Sequence, residues 1–390
     1  MKKLVCAALA VIVIFSFCSC SELPTIKKLN SLLMSELYID WDNYSSAELS
    51  AGSRYKYYFG TLSENQKKAY NNILKELTEA DDSFPEKIQV PLMESEELTQ
   101  VYEAIAYDNP EIMCFGSGAS IITEGELCFF KPDYTMIPAE MKHRAEALSQ
   151  KADEICSYFT AETSDFDKEL AIHDYIIKNC DYNCETEDSS TAYACIFLGY
   201  ASCEGYAKAM KYLLEKADIE NICIIGDATN QQGESESHMW NIVNIGGAYY
   251  HLDTTWDDPA QTTDGISHIY FNLTDDEIKT DHSGFYSDYV CDSTDENYFV
   301  KTGRVFSGAD YYSRQSMQSE IIENLEKNQQ SIQFRFSSAQ AFSNAVYTLI
   351  TESVAYDIQN NIRYLRPDLP LSDEINYSKN ENYNIIEFIF

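Results

Sequence analysis

The sequence predicts an α+β fold, and three observations carry that reading. From Tyr206 the apolar residues Tyr206, Met210, Leu213, Leu214 and Ala217 recur at helical spacing. Downstream, residues 238–245 and 248–255 are rich in strand formers and flank Gly246-Gly247, the signal of a two-residue hairpin turn. Elsewhere, segments of helical period and short apolar runs share the chain, so the core is expected to be a helix packed on an antiparallel sheet.

Taken in order, residues 1–19 read as a leader. Lys2 and Lys3 precede an apolar run from Leu4 to Phe17 that is short for a permanent membrane span. The run ends in Phe17-Cys18-Ser19-Cys20, which resembles a bacterial lipobox with Cys20 as the lipidated residue, although Phe17 stands where leucine is preferred. The expected location is outside the cytoplasm, anchored to the membrane by lipid, with plain secretion as the alternative. Residues 20–53 form a polar tether. Residues 54–160 read as a mainly helical region. A helix at 62–77 is opened by Ser63-Glu64, and one at 95–107 is stopped by Pro110. A hairpin about Glu124-Gly125 over 119–130 and a helix over 141–158 follow. Residues 161–300 form the core, with a helix at 168–179, the helix after Cys203, a strand at 221–226, a polar surface loop at 227–237, and the hairpin. Residues 301–390 read as a small α+β appendage: helices at 316–327 and 338–358, strands at 331–336 and 384–390.

The composition excludes some classes. The formal net charge is −35, and losing Lys2 and Lys3 with the leader makes it more negative still. Such a surface repels nucleic acid and anionic lipid. Of the 12 cysteines, Cys6 and Cys18 fall in the leader, Cys20 is the proposed anchor and Cys203 the proposed nucleophile. The others (Cys114, Cys128, Cys156, Cys180, Cys184, Cys195, Cys223 and Cys291) are expected as free buried thiols, with Cys180–Cys184 the first candidate for a disulfide. Cys180 and Cys184 have no second pair at zinc-ribbon spacing, and no phosphate loop or EF-hand pattern occurs, so neither metal nor cofactor is expected.

Three residues stand in the local sequences that nucleophilic catalysis requires. Cys203 follows Ser202, a natural N-cap, and so falls in the first turn of a helix, where the dipole and exposed amides favour a thiolate. In the hairpin, the register set by Gly246-Gly247 puts Trp240 opposite Asp253 and His238 opposite Thr255. All four lie on one face, with His238 and Asp253 as diagonal neighbours about 7–8 Å apart at the backbone. That suits a carboxylate holding an imidazole whose other nitrogen meets a thiol. His251, opposite Ile242, reads as structural.

At these residues the chain resembles the transglutaminase-like superfamily in its bacterial extracytoplasmic branch. The matching blocks are Cys203-Glu-Gly-Tyr-Ala, His238-Met-Trp-Asn and Leu252-Asp-Thr-Thr-Trp-Asp, in order. Ala171-Ile-His-Asp-Tyr175 and Thr191-Ala-Tyr193 precede them, and Tyr270-Phe-Asn-Leu-Thr-Asp-Asp-Glu277 extends the similarity to about His282. The resemblance implies a papain-like core with Cys203 as nucleophile, His238 as general base and acid, and Asp253 as the orienting carboxylate. It implies acyl transfer through a Cys203 thioester. Hydrolysis of peptide or amide bonds is the first expectation, glutamine cross-linking or deamidation the second. A non-catalytic module holding a peptide or glycan is the rival class. The expected partner is a peptide or protein, cell-wall peptide among them. The Tyr193 hydroxyl is the candidate second oxyanion donor beside the Cys203 amide. Tyr200, Tyr206, Trp240 and Trp256 are candidates to line the groove.

Overall fold

The computed structural model describes residues 39–47, 54–186, 188–258 and 265–390; the leader and Cys20 lie outside them. The described residues 39–45 fall in a unit of their own, in which the Asn43 amide donates to Asp40 (2.8 Å) and Trp41 packs on Tyr44. The remainder, from Ser46 to Phe390, is a second unit.

In the second unit, α1 (Tyr57–Thr61) leads into α2 (Glu64–Glu79), whose start is fixed by a reciprocal capping box between Ser63 and Gln66. After β1 (Ile88–Val90) comes α3 (Ser95–Asp108), which stops at Asn109 before Pro110. The buried Asp108 carboxylate accepts the amides of Tyr58 and Phe59 and so ties α1 to α3. β2 (Phe115–Glu124) and β3 (Leu127–Tyr134) form the expected hairpin, longer than its sequence signal and turning at Gly125 with φ 65°. With β1 they make a three-stranded sheet, so the region expected to be mainly helical carries a sheet as well.

α4 (Pro138–Cys156) and α5 (Asp165–Asn179, capped by Ser164) lead to β4 (Asp181–Tyr182). A π-helical turn at Ala194–Leu198 precedes β5 (Tyr200–Ala201), which pairs with β4 in parallel. Then follow α6 (Cys203–Lys216), β6 (Asn221–Thr229), β7 (Ser235–Ile245), β8 (Ala248–Leu252), α7 (Thr254–Asp257), α8 (Asp275–Ile278) and β9 (His282–Ser283). The sheet runs β8-β7-β6-β9, antiparallel throughout, with α6 against β6 and β7. Gly246 and Gly247 both take positive φ, 64° and 90°, as a type I′ turn requires, and Ile245 pairs with Ala248.

The expected loop at 227–237 needs correcting. Pairing continues through Asp227↔Ser237 to Thr229↔Ser235, leaving only residues 230–234 as the turn. Ser235, Glu236 and Ser237 are exposed, so the strand carries no apolar alternation to betray it, while its backbone ladder remains intact.

α9 (Tyr298–Lys301) packs Tyr298 and Phe299 into the main core, and the appendage beyond it comprises β10 (Val305–Phe306), α10 (Tyr311–Glu326), β11 (Ser331–Phe336), α11 (Ala339–Val346), α12 (Val354–Leu365), β12 (Asn376–Asn380) and β13 (Ile385–Ile389). Its sheet order is β10-β11-β13-β12. The single helix expected over 338–358 is broken: a π-helical turn at Tyr347–Thr351 and Ser353 at φ 59° separate α11 from α12. Phe334, Phe336, Ile386 and Phe388 anchor a hydrophobic core of its own, whereas Tyr383 and Ile385 join the main core. Among the described residues no helix is long and apolar enough to cross a membrane.

Candidate active site

Cys203 is the first residue of α6, and its side chain is half-buried. Ser202 occupies the N-cap position but does not cap: its hydroxyl donates to the Ser189 carbonyl (3.3 Å), as does its amide (2.9 Å). The first-turn amides of α6 are therefore left without a competing side-chain acceptor beside the thiol. Gly205 explains the middle of the Cys-Glu-Gly-Tyr-Ala block. A Cβ there would lie 2.3 Å from the Ser189 carbonyl oxygen and 2.7 Å from Ala201, so only glycine lets α6 seat against this segment.

His238 sits on β7, buried, with its ring stacked 6.0 Å from Trp240 and covered by Trp256 at 5.8 Å. Its Nε2 donates to Asp253 Oδ2 at 2.7 Å. The other ring nitrogen is the one available to the Cys203 thiol, which interacts with the imidazole. Burial alone would push the His238 pKa down; the Asp253 carboxylate, with Cys203 adding to it, reverses this and raises it to about 10. Asp253 is fully buried, yet its pKa is held below the usual carboxylate range: burial opposes ionisation, and His238 and His282 overcome it.

The expected pairings of Trp240 with Asp253 and of His238 with Thr255 do not form. β8 ends at Leu252, and Asp253 turns out of the ladder to cap α7, accepting the amides of Thr255 (3.0 Å) and Trp256 (3.1 Å) on Oδ1. Aspartate at an N-cap prefers this arrangement to continuing a strand. The carboxylate still meets His238 because the cap points Oδ2 back across the hairpin. His282 was not foreseen as a site residue; its Nε2 reaches the same Oδ2 at 3.0 Å.

Other expected residues take different places. Tyr193 stacks on Phe197 (4.9 Å) and lies under Arg144 (5.0 Å); none of its described contacts joins it to Cys203 or His238. Tyr206 is a core residue with no exposed surface, its hydroxyl on the Cys180 carbonyl and Asp258, so it lines no groove. Trp240 is likewise buried, forming the floor under His238, and its indole N–H donates to His251 Nδ1 (2.9 Å). Trp256 and Tyr200 remain partly exposed. At the mouth stands Tyr182, 47% exposed and absent from the sequence expectations. Burial and the charges of Cys203, Cys184, Glu236 and Asp253 push its pKa up to about 12. The cysteines of the described residues are all free, but not all are buried: Cys184 is exposed and Cys156 partly so. The Cys180–Cys184 disulfide does not form; Cys180 is buried and its thiol meets that of Cys195 instead.

Three clusters bring metal-type donors within 4.8 Å of one another: His238/Asp253/His282, His173/Asp174/His268 and His251/Asp275/Cys291. In the first two, each histidine hydrogen-bonds the shared aspartate. In the third, the Trp240 N–H occupies His251 Nδ1, which fixes the ring proton on Nε2 and directs it to Asp275 Oδ1 (2.9 Å). His251 is structural, as its strand position suggested.

A thiol at a helix start, an imidazole and a buried carboxylate in this order define a site of the thiol acyl-transfer and hydrolase kind. Residues 150–254, the segment that holds Cys203, His238 and Asp253, match the model of the transglutaminase-like superfamily. Similar solved structures include a candidate cysteine protease from Cytophaga hutchinsonii (14% identity, 35% of this chain and 61% of that one, TM-score 0.25). Another is a TGase (11% identity, 45% and 52%, TM-score 0.26). A third is the periplasmic domain of TgpA from Pseudomonas aeruginosa (14% identity, 33% and 55%, TM-score 0.22). Each match spans less than two thirds of the solved chain. No curated protein matches significantly.

Proposed function

We propose that this protein is a cell-envelope thiol hydrolase of peptide or amide bonds, acting through a Cys203 thioester. The observation that carries the reading is the buried 2.7 Å His238–Asp253 contact set against a half-buried thiol at an uncapped helix start. The thiolate attacks the carbonyl carbon, and the Cys203 amide donates to the developing oxyanion. His238 gives its proton to the departing amine as the C–N bond breaks. Water then attacks the thioester, His238 takes its proton, and the C–S bond breaks to release the acid. Hydrolysis is put ahead of amine transfer because Cys203 is only half-buried, so water can reach the thioester without a dedicated amine site.

A cavity of about 610 Å³ flanks the start of α6, walled by Tyr102, Tyr107, Phe115 and Tyr134 and by Thr191 and Glu204. Its mixed polar and apolar lining suits a peptide, with cell-wall peptide or an exported protein as substrate. Location outside the cytoplasm with a lipid on Cys20 is part of the proposal and rests on the leader pattern. The mass of the N-terminal peptide from membrane-extracted protein tests it, and an unmodified N-terminus elsewhere refutes the anchor. Incubating the protein with a peptide library, with and without a primary amine, tests the chemistry by mass. Backbone or amide hydrolysis lost in Cys203→Ala is the expected result; amine incorporation at glutamine exceeding hydrolysis would replace hydrolase by transglutaminase. No Cys203-dependent product of either kind would favour the binding module.

A further inference from the structure

We infer that His282 is a positioning residue of the same site, and that Asp281 and Tyr383 hold it there, so that the appendage helps to align the catalytic base. This rests on the functional reading above. Asp253 has all its acceptor directions filled: two amides on Oδ1, and His238 Nε2 and His282 Nε2 on Oδ2. With His238 alone on Oδ2, the carboxylate would be free to pivot about its capped oxygen; the second imidazole fixes the position from which His238 is oriented.

The far side of His282 is equally determined. Its Nδ1 meets Asp281 Oδ1 at 2.7 Å. Asp281 in turn accepts the Tyr383 hydroxyl on Oδ1 (2.9 Å) and the Tyr270 hydroxyl on Oδ2 (2.8 Å). Asp281 accepts two hydroxyls and Asp253 two backbone amides, so both present acceptor oxygens to His282. Both nitrogens of His282 therefore face atoms that only accept, and the ring carries both protons. Burial works against that charge, and the two carboxylates prevail, raising the His282 pKa. Gly226 makes the approach possible: a Cβ there would lie 2.5 Å from the Ser283 carbonyl oxygen and 2.9 Å from Trp240, which would push β9 off the sheet. Tyr383 precedes β13, packs edge-on to Tyr270 at 5.2 Å, and belongs to the main core rather than to that of the appendage.

The charge has a sign that can be read. A fixed cation beside Asp253 competes with His238 for the carboxylate. The His238 imidazolium therefore gives up its proton at lower pH than it would with Asp253 facing His238 alone. The other titratable groups around this pair and His282 are Tyr182 on β4, Glu236 on β7, His251 on β8, Cys184, and Asp281 with its two tyrosines. None of them supplies a second buried positive charge on Asp253.

The test is the pH dependence of Cys203 alkylation by iodoacetamide in the full chain, read by peptide mass, with the thermal midpoint recorded for each variant. His282→Phe is expected to move the His238 limb of the profile upward, by about one pH unit. His282→Gln, which keeps an N–H toward Asp253 but no charge, recovers the rate at the optimum and keeps the shift. Tyr383→Phe gives a smaller shift of the same sign. If His282→Phe does not fold, the glutamine and Tyr383 variants carry the result. Folded variants whose profiles superimpose on the parent would overturn the inference alone. A parent chain showing only the ordinary titration of an isolated thiol would overturn the enzyme reading, and the inference with it.

Discussion

Two regions of the molecule use the same hydrogen-bond pattern to opposite ends. At the site, Asp253 Oδ2 is shared by His238 (2.7 Å) and His282 (3.0 Å). On the other side of α7, Asp174 Oδ1 is shared by His173 (3.2 Å) and His268 (2.9 Å). α7 links the two: Asp253 caps its start, and Asp257 at its end lies 3.3 Å from His173 Nε2. Only the first cluster has a thiol beside it. In the second, every described ring contact of the two histidines goes to a carboxylate or an aromatic ring, with His268 stacked on Tyr298 at 3.9 Å. On the proposed function, a carboxylate shared by two imidazoles is a fastener at one place and part of the chemistry at the other, where Cys203 adjoins it.

Exchanging the perturbation between the clusters breaks the comparison most sharply. Asp253→Ala should lower turnover by roughly three to four orders of magnitude, because the imidazole loses its orientation. Asp174→Ala should leave turnover per folded molecule within about threefold while lowering stability by about 3 kcal/mol, since two buried histidines lose their partner. Parallel kcat and denaturant-midpoint measurements decide it; equal losses of turnover would end the distinction. Next in size, Gly205→Ala should destabilise the fold by about 2 kcal/mol, as a backbone oxygen stands where the methyl group would go. A denaturant midpoint unchanged from the parent would show that α6 is free to shift.

The smallest effect is the pH dependence of stability, to which both clusters contribute in the same sense. His173 is raised to about 9: burial opposes its charge, and Asp174 and Asp257 outweigh it. Its contribution is complete below the ordinary histidine value of 6.5 and is lost as pH rises through about 9. Glu169, next to it and bonded to Asn272, is raised by burial to about 8; its neutral form fits the core, so its contribution is complete below 4.5 and lost as pH rises through about 8. Asp253 and Asp174 are lowered and act in the opposite sense, their contributions lost only in acid. Thermal midpoints should therefore fall from neutral toward alkaline pH, and the fall should shrink in Glu169→Gln. A midpoint that rises over that range would contradict the assignment.

Much of the site was legible because its geometry is local. Gly246-Gly247 dictates the register of β7 and β8, and that register is observed down to Asn241↔Leu252. It stops being informative at Asp253, where an N-cap preference overrides strand continuation. His282 escaped because β9 has two residues and no period to read. The only local hint was an Asp-His pair at the end of the block resembling the family. Tyr182 escaped for the same reason, on a two-residue strand whose partner is set by long-range packing. Tyr206 and Trp240 were misplaced because an amphipathic aromatic is equally at home at a rim or in a core, and buried acceptors such as the Cys180 carbonyl and His251 are invisible in sequence.

The tight turn at Gly246-Gly247 also bears on how the chain reaches this state. His238 and Asp253 are fifteen residues apart, and the hairpin holds them together from within. The loop-closure entropy of bringing them together is small, and hairpins of this kind form on a timescale of about microseconds. Cys203 arrives from an element outside that hairpin, through the non-local docking of α6. During folding, His238 and Asp253 can therefore come together before Cys203 docks beside them, so on the proposed function the thiol is activated last.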